Sequence, residues 1–260
     1  MRDKKQLKIV ASIEARMTSS RLPGKVLMEA DGRSLLLHMI DRVKQANLID
    51  EVVVATTVNS TDDPIVKLCQ EAGVLFFRGS EPDVLQRVLD TQKSVDSDVI
   101  VELTGDCPLI DPVVIDLVIQ KYLDSEADYV SNAHVRSYPD GYDVQVFAYD
   151  LLDEVSKKTT KIEDREHVSL YIYSSGEYSL EAVIAPIEHR KPELRITLDN
   201  KGDYLLIKDI IEKSISENKD YGVQEVVDYV LSNPDLLELQ KDSVFIDIET
   251  QTVYKEDDED

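Results

Sequence analysis

The chain has no tryptophan, only four phenylalanines, and just two cysteines and four histidines in 260 residues. Two cysteines, Cys69 and Cys107, give no disulfide framework, so a cytoplasmic setting is expected and both read as small buried hydrophobes. The histidines form no H-x-x-x-H pair and no His/Cys cluster, which speaks against a zinc centre. Cations are scarce as well. With 29 Lys and Arg against 52 Asp and Glu, the formal net charge is −23, and such a surface repels nucleic acid. No apolar run reaches the roughly 18 residues of a membrane span, and M-R-D-K-K-Q at the start lacks the apolar segment of a signal peptide. Neither nucleic acid nor a membrane is therefore an expected partner. Two phosphate-binding fingerprints, G-x-x-x-x-G-K-[ST] and G-x-G-x-x-G, do not occur. Ser19 and Ser20 have no G-x-S-x-G context, so serine hydrolase chemistry is disfavoured too.

Apolar residues make up 42% of the chain, enough for a core. The length fits one large α/β domain or two small ones, and no repeat or low-complexity linker divides it. One domain over residues 1–250 is expected, with a nucleotide-binding half at about 7–125 and an acceptor and dimerisation half at about 126–245. Residues 251–260, ending K-E-D-D-E-D, read as a solvated acidic tail.

Leu7 to Ile13 is a short apolar run, predicting a buried strand. Ser34 is a predicted helix N-cap, with Leu35, Met39 and Val43 at helical spacing behind it. Glu51 to Thr57 is a β-branched run of the buried parallel type. Pro64 and Pro82 open helices, Val74 to Phe77 and Asp98 to Leu103 read as strands, and Val113 to Leu123 as a helix. That alternation predicts a parallel sheet covered by helices. Later the pattern mixes: strands at Ala127–Ser131, Tyr142–Tyr149, Ser179–Ile184 and Leu194–Leu198, and helices at Leu151–Lys157, Arg165–Tyr173, Tyr204–Ile215, Val223–Leu231 and Pro234–Leu239.

The first strand ends in small and hydroxylic residues threaded by Arg16, Arg21 and Lys25, with Pro23 and Gly24 just before the lysine. Three cations face one anion, Glu14, between residues 14 and 25, a positive island on an acidic protein. Small residues let backbone N–H groups approach an anion, and the cations neutralise it, which suits a polyphosphate. A second loop, T-G-D-C-P-L-I-D-P from Thr104 to Pro112, follows the strand ending at Leu103. Ligands of open α/β sheets bind beyond the carboxyl ends of the strands, where both loops lie. Asp106 is the carboxylate best placed to hold Mg²⁺, against the plain alternative of a turn-capping aspartate. Asp111 before Pro112 reads as a helix N-cap.

These segments also carry a resemblance. A-R-M-T-S-S-R-L-P-G-K (Ala15–Lys25) resembles the signature of the cytidylyltransferases, which include enzymes making CMP-activated acidic sugars and the spore-coat-polysaccharide type. The similarity continues through A-T-T (Ala55–Thr57), F-R-G-S-E-P-D-V-L-Q-R (Phe77–Arg87), T-G-D-C-P-L-I-D-P, Y-V-S-N (Tyr129–Asn132), Y-P-D-G-Y-D-V (Tyr138–Val144) and R-E-H-V (Arg165–Val168). It spans about Lys8 to Tyr204. The resemblance implies an α/β fold with a Rossmann-like, mostly parallel sheet sandwiched by helices, like the nucleotide-diphospho-sugar transferases, with a mixed second half. It implies an Mg²⁺-dependent transfer of CMP from CTP to a small acidic or phosphorylated acceptor, with release of pyrophosphate. Surface or capsule polysaccharide precursor synthesis is the implied setting, and a homodimer the implied assembly, with Ala127–Tyr149 as its candidate surface.

The resemblance makes Arg16, Lys25 and Asp106 the expected catalytic groups and adds Asp199 as a second metal carboxylate, with Asp203 its rival. Nucleotide binding would fall to Ile13, Ala15, Arg16, Ser19, Arg21 and Lys25, with Thr56 and Thr57 beside the base. Arg78, Ser80 and Asp83 are added by the resemblance. Glu14 stands where spore-coat-type sequences usually have Gln. Acceptor candidates are Asn132, Tyr138, Asp140, Tyr142, Asp143, Arg165, Glu166 and His167. The alternative reading is a glycosyltransferase using a preformed nucleotide sugar, for which D-S-D at Asp96–Asp98 would be the metal motif. A nucleotide-binding protein without catalysis is third.

Overall fold

The computed structural model describes residues 7–240 together with the strand Thr252–Val253; apart from that strand, the expected acidic tail lies outside the described residues. Seven strands form the central sheet: β1 (Ile9–Glu14), β4 (Glu51–Thr57), β5 (Leu75–Gly79), β6 (Val99–Thr104), β7 (Tyr129–Ser131), β9 (Gln145–Ala148) and β10 (Leu180–Ala182). Two-residue strands complete the set: β2 (Glu29–Ala30) with β3 (Arg33–Ser34), and β8 (Val135–Arg136) with β11 (Thr252–Val253). The sheet order is β10-β7-β9-β6-β1-β4-β5. Every pair is parallel except those of β9, which runs against β6 and β7. The chain builds outward from β1 to β4 and β5, then returns to lay β6 on the other side of β1. That reversal opens a crevice between the carboxyl ends of β1 and β6.

Helices α1 (Leu35–Val43), α2 (Asp63–Ala72), α4 (Pro112–Asp124), α8 (Lys201–Ser216) and α9 (Val223–Ser232) contribute to one apolar core. Helices α3 (Val84–Ser94) and α5 (Tyr149–Lys158) contribute to a second. Short helices α6 (Ile162–Glu166), α7 (Leu170–Ser174) and α10 (Asp235–Glu238) complete the described chain. The period of two decides which core a strand residue joins: Ala11, Ile13, Val101 and Leu103 belong to the first, Ile100 and Phe147 to the second. The first core draws on both halves of the sequence, from Ile9 to Val230.

Helix starts follow capping chemistry. The Ser34 hydroxyl accepts from Leu37 N, Asp83 from Gln86 N, and Asp111 from Val113 N. Asp62, at the N-cap of α2, makes no capping bond. It is buried and accepts instead from the Thr57 hydroxyl and from Met17 N at 2.8 Å, fixing the loop after β1. Three expected elements change. Leu194–Leu198 is not a ladder strand: it is wedged between two loops, joined by Asp140 N to Leu194 O at 2.9 Å, Ile196 N to Asp140 O at 2.7 Å and Leu198 N to Asp106 O at 2.8 Å. Tyr142–Tyr149 shortens to β9, because Val144 N is taken by the Asn132 side chain. The expected helix Arg165–Tyr173 breaks into the end of α6 and α7 where Val168 takes a φ of 45°. Among the described residues, no helix is long and apolar enough to cross a membrane.

Candidate active site

A cavity of about 1090 Å³ opens over the β1/β6 crevice. Its floor is made by the loop after β1, the loop after β6, and Leu194–Asp199 from the second half. The two strand-end loops touch closely: Gly105 N donates to Glu14 O at 2.9 Å, and a Cβ at Gly105 would sit 2.5 Å from that oxygen. Only glycine fits there.

Lys25 is the hub. Its Nζ lies 3.0 Å from Asp106 Oδ2, 3.1 Å from Asp199 Oδ1 and 2.6 Å from Leu198 O. Gly24, with a φ of 73°, turns the backbone so that the lysine enters the floor. Arg21 reaches the same Asp199 oxygen at 2.8 Å, and Arg195 approaches the other at 3.7 Å. Burial works against the Lys25 ammonium, but Asp106 and Asp199 together hold its pKa above the ordinary lysine value. Burial likewise opposes the Asp106 carboxylate, yet Lys25 and the Thr104 hydroxyl keep it below the usual carboxylate range. Both groups stay charged at neutral pH, in a site prepared for anions and cations alike. The rival Asp203 is fully buried and occupied: Oδ2 accepts from Asp199 N at 2.9 Å, Asn200 N at 3.0 Å and Arg195, and Oδ1 from Gln240 at 2.8 Å. It caps α8 in a capping box with Asn200.

Two carboxylates converging on one cation are a donor set that fits Mg²⁺, which typically takes one or two carboxylates and keeps its waters. Among the described residues no group of three or more His, Cys, Asp or Glu has metal-site geometry, so the fit is to a partly hydrated ion rather than a protein cage.

Of the residues expected to bind nucleotide, Ala15, Arg16, Ser19, Arg21 and Lys25 line the cavity together. Ile13 and Thr56 are buried in the sheet, away from the lining. Arg78 is turned outward, bonded to Thr57 O at 2.8 Å, Asn59 O at 2.7 Å and Asp63 at 2.8 Å. Ser80 accepts from Asp83 N at the head of α3 and does not reach the cavity. Of the acceptor candidates, Asp140, Asp143, Glu166 and His167 line it. Arg136 pairs with Asp140 at 3.2 Å and stands 3.7 Å from Asp143, whose carboxyl is pushed up to about 7 by burial. Asn132 is structural: its amide bridges Tyr142 O and Val144 N, each at 2.8 Å. Tyr138 and Tyr142 are packed into the first core, 3% and 0% exposed, so the tyrosine-rich turn offers no tyrosine surface to a partner. Arg165 clamps Asp83 through Nε at 2.9 Å and a second nitrogen at 2.6 Å, pinning α6 to the head of α3.

Sequence reasoning missed Glu102, Arg87, Gln145, Tyr129, His134, Ser169 and Arg195, which all line the cavity. Glu102 had a signal: a carboxylate inside the otherwise apolar strand V-I-V-E-L-T.

Comparison with known proteins agrees with the geometry. The sequence model of the family described as cytidylyltransferase matches residues 10–224. The spore coat polysaccharide biosynthesis protein SpsF of Bacillus subtilis is 36% identical over 234 residues, covering 87% of this chain and 95% of that protein. A 3-deoxy-manno-octulosonate cytidylyltransferase of Geobacter metallireducens is 33% identical over 132 residues, half of this chain and 48% of its own length. Among solved structures, a cytidylyltransferase of Leptospira borgpetersenii superposes with a TM-score of 0.83 at 30% identity, covering 92% of this chain and all of that one.

Proposed function

From the premise that the chain belongs to the cytidylyltransferase family, we propose that it transfers CMP from CTP to a small acidic or phosphorylated acceptor, releasing pyrophosphate, with Mg²⁺ held by Asp106 and Asp199. The observation that carries this reading is the meeting of Lys25 with both carboxylates at the mouth of the β1/β6 crevice, beside Arg16 and Arg21. Nucleotidyl transfer needs an acceptor oxygen in line with the α-phosphorus, and the protein's work is positioning and charge neutralisation. Arg16, Arg21 and Lys25 would bind the triphosphate, with the backbone of the β1 loop held in place by Asp62. Bound there, Mg²⁺ would supply charge neutralisation at the reacting phosphate. Lys25 would keep the two carboxylates apart in register before the ligands arrive. Asp140, Asp143 and His167, which line the same cavity, would orient the acceptor.

The two relatives named for polysaccharide and sugar-acid chemistry support an acceptor from surface polysaccharide precursor synthesis. A cytoplasmic homodimer accompanies this reading; light scattering at micromolar protein that gives 29.4 kDa throughout would remove the dimer. The glycosyltransferase alternative loses its motif: Asp98 accepts from Lys8 N at 2.9 Å before β6 begins, and none of Asp96–Asp98 lines the cavity. The test is to incubate the protein with labelled CTP, Mg²⁺ and a panel of sugar acids and sugar phosphates. Acceptor-dependent pyrophosphate is the expected result. Equal thermal shifts with CTP, UTP, ATP and GTP would remove the cytosine preference.

A further inference from the structure

One wall of the cavity is unlike the rest. On the face of the sheet covered by α3, a polar row crosses the strands near their ends at the cavity: Glu14 on β1, Glu102 on β6, and Gln145 directly opposite Glu102 on β9. Glu102 is 3% exposed. Gln145 Oε1 is already claimed by the Tyr129 and Ser169 hydroxyls. Glu14 Oε1 and Glu102 Oε2 have no hydrogen-bond partner, and neither does Nε of Arg87, the α3 cation facing them. Buried polar atoms are normally paired, so unpaired carboxyl oxygens on a cavity wall point to a ligand that brings donors. Burial raises the Glu14 carboxyl to about 7, with Asp106 adding to it and Arg87 and Arg16 offsetting it, and burial together with Glu14 holds the Glu102 carboxyl well above the usual carboxylate range. A carboxyl pair of this kind, largely protonated near neutral pH, accepts from hydroxyl or amino groups and can donate back to a hydroxyl, so it suits the neutral, donor-bearing part of a ligand.

We propose that the Glu14–Glu102 wall is a specificity-determining subsite that binds the hydroxyl- or amino-bearing end of the acceptor and leaves its anionic end to the cations of the β1 loop. The inference rests on the cytidylyl-transfer reading and adds a polarity to the acceptor. The anionic end and the reacting oxygen lie toward Arg21 and Lys25, at Asp199, and the donor-bearing end lies under α3. Glu14 then selects the acceptor rather than the base.

The test uses the full chain with CTP, Mg²⁺ and three 2-keto sugar acids identical but for the carbon farthest from the carboxylate, which carries a hydroxyl, an amino group or only hydrogen. Pyrophosphate release is followed for the natural protein and for Glu102→Gln and Glu14→Gln. The expected result is a KM for the hydroxyl or amino acid at least about tenfold below that of the deoxy acid. That gap should shrink in both variants through KM, while the KM for CTP stays within about twofold. Which of the two substituted acids is used better tells a hydroxyl-directed wall from an amine-directed one. Equal use of the deoxy acid by the natural protein, or undiminished discrimination in Glu102→Gln, overturns the proposal. If no acid releases pyrophosphate while CTP still binds by calorimetry, the proposed acceptor class has failed. The wall is then judged by glutamate ¹³C-carboxyl resonances on adding ribitol to the CTP·Mg²⁺-loaded protein. Shifts at Glu14 and Glu102 uphold it, and unchanged resonances overturn it.

Discussion

The cavity has a floor whose charges are matched and a wall whose charges are not. On the floor, Lys25, Arg21 and Arg195 share Asp106, Asp199 and Asp203, and each carboxylate has a cation within 3.7 Å. On the wall, half-buried Glu14 and buried Glu102 stand beside each other with oxygens left over. The floor is held together by its own opposite charges. The wall is held against its own repulsion by the sheet and α3. A matched site loses stability when a member is removed; a frustrated one gains it.

Lys25→Ala tests the floor most severely. It leaves Asp106 without its cation, while Asp199 keeps Arg21 and Arg195, so stability should fall by roughly 3 kcal/mol in urea unfolding. Triphosphate affinity and turnover should fall with it. Asp106→Asn should be gentler on the fold and harsh on catalysis. A turnover loss of about a hundredfold or more is expected, with the unfolding midpoint lowered less than in Lys25→Ala because Lys25 keeps Asp199. Asp199→Asn should act alike and non-additively with it, since both would hold one ion. Near-normal rates for Asp106→Asn at ordinary Mg²⁺ would break the distinction.

The wall should respond with the opposite sign. A Glu14 carboxyl raised from 4.5 to about 7 keeps in the folded state a proton that the unfolded chain releases. Stability from this group therefore declines as pH rises through that window and is lowest above it. Glu14→Gln should flatten the decline and stabilise the protein above pH 7 by at most roughly 3 kcal/mol, with no gain near pH 4. Thermal unfolding across that pH range is the measurement, and a destabilised Glu14→Gln at pH 8 would erase the contrast. The smallest effect is expected for Arg78→Ala. It removes bonds to Thr57 O, Asn59 O and Asp63 outside the cavity, costing about 1 kcal/mol, and should leave the KM for CTP unchanged.

The floor was more legible in the sequence than the wall, and the reason is local. Arg16, Arg21 and Lys25 sit in one loop whose small residues, proline and glycine announce its shape, and Asp106 sits in a second loop of similar character. The sheet was legible because Glu51–Thr57 and Val99–Thr104 are buried on both sides and show it in their composition. Long-range fastening was not. Arg165 looks the same in sequence whether it binds an acceptor or clamps Asp83. The segment Leu194–Leu198 has the composition of a strand but finds loops, not a strand, on either side. Tyr138 and Tyr142 went to the core because Gly141, with a φ of 108°, lets the turn pass so close to Ile196 that a Cβ there would meet its carbonyl carbon at 2.7 Å.

Residues late in the chain close the floor. Gln240 donates to Arg195 O at 2.9 Å and to Asp203 at 2.8 Å, and the backbone of Leu239 lies so near Gly202 that a Cβ there would fall 1.9 Å from its oxygen. During synthesis the β1 loop and Asp106 leave the ribosome with most of the sheet, and domains form from the amino-terminal side first. Asp199 and its clasp arrive more than ninety residues after Asp106. A nascent chain can thus hold a folded sheet and a cationic loop while the second carboxylate is still being made. The floor is complete only once the segment through Gln240 is in place.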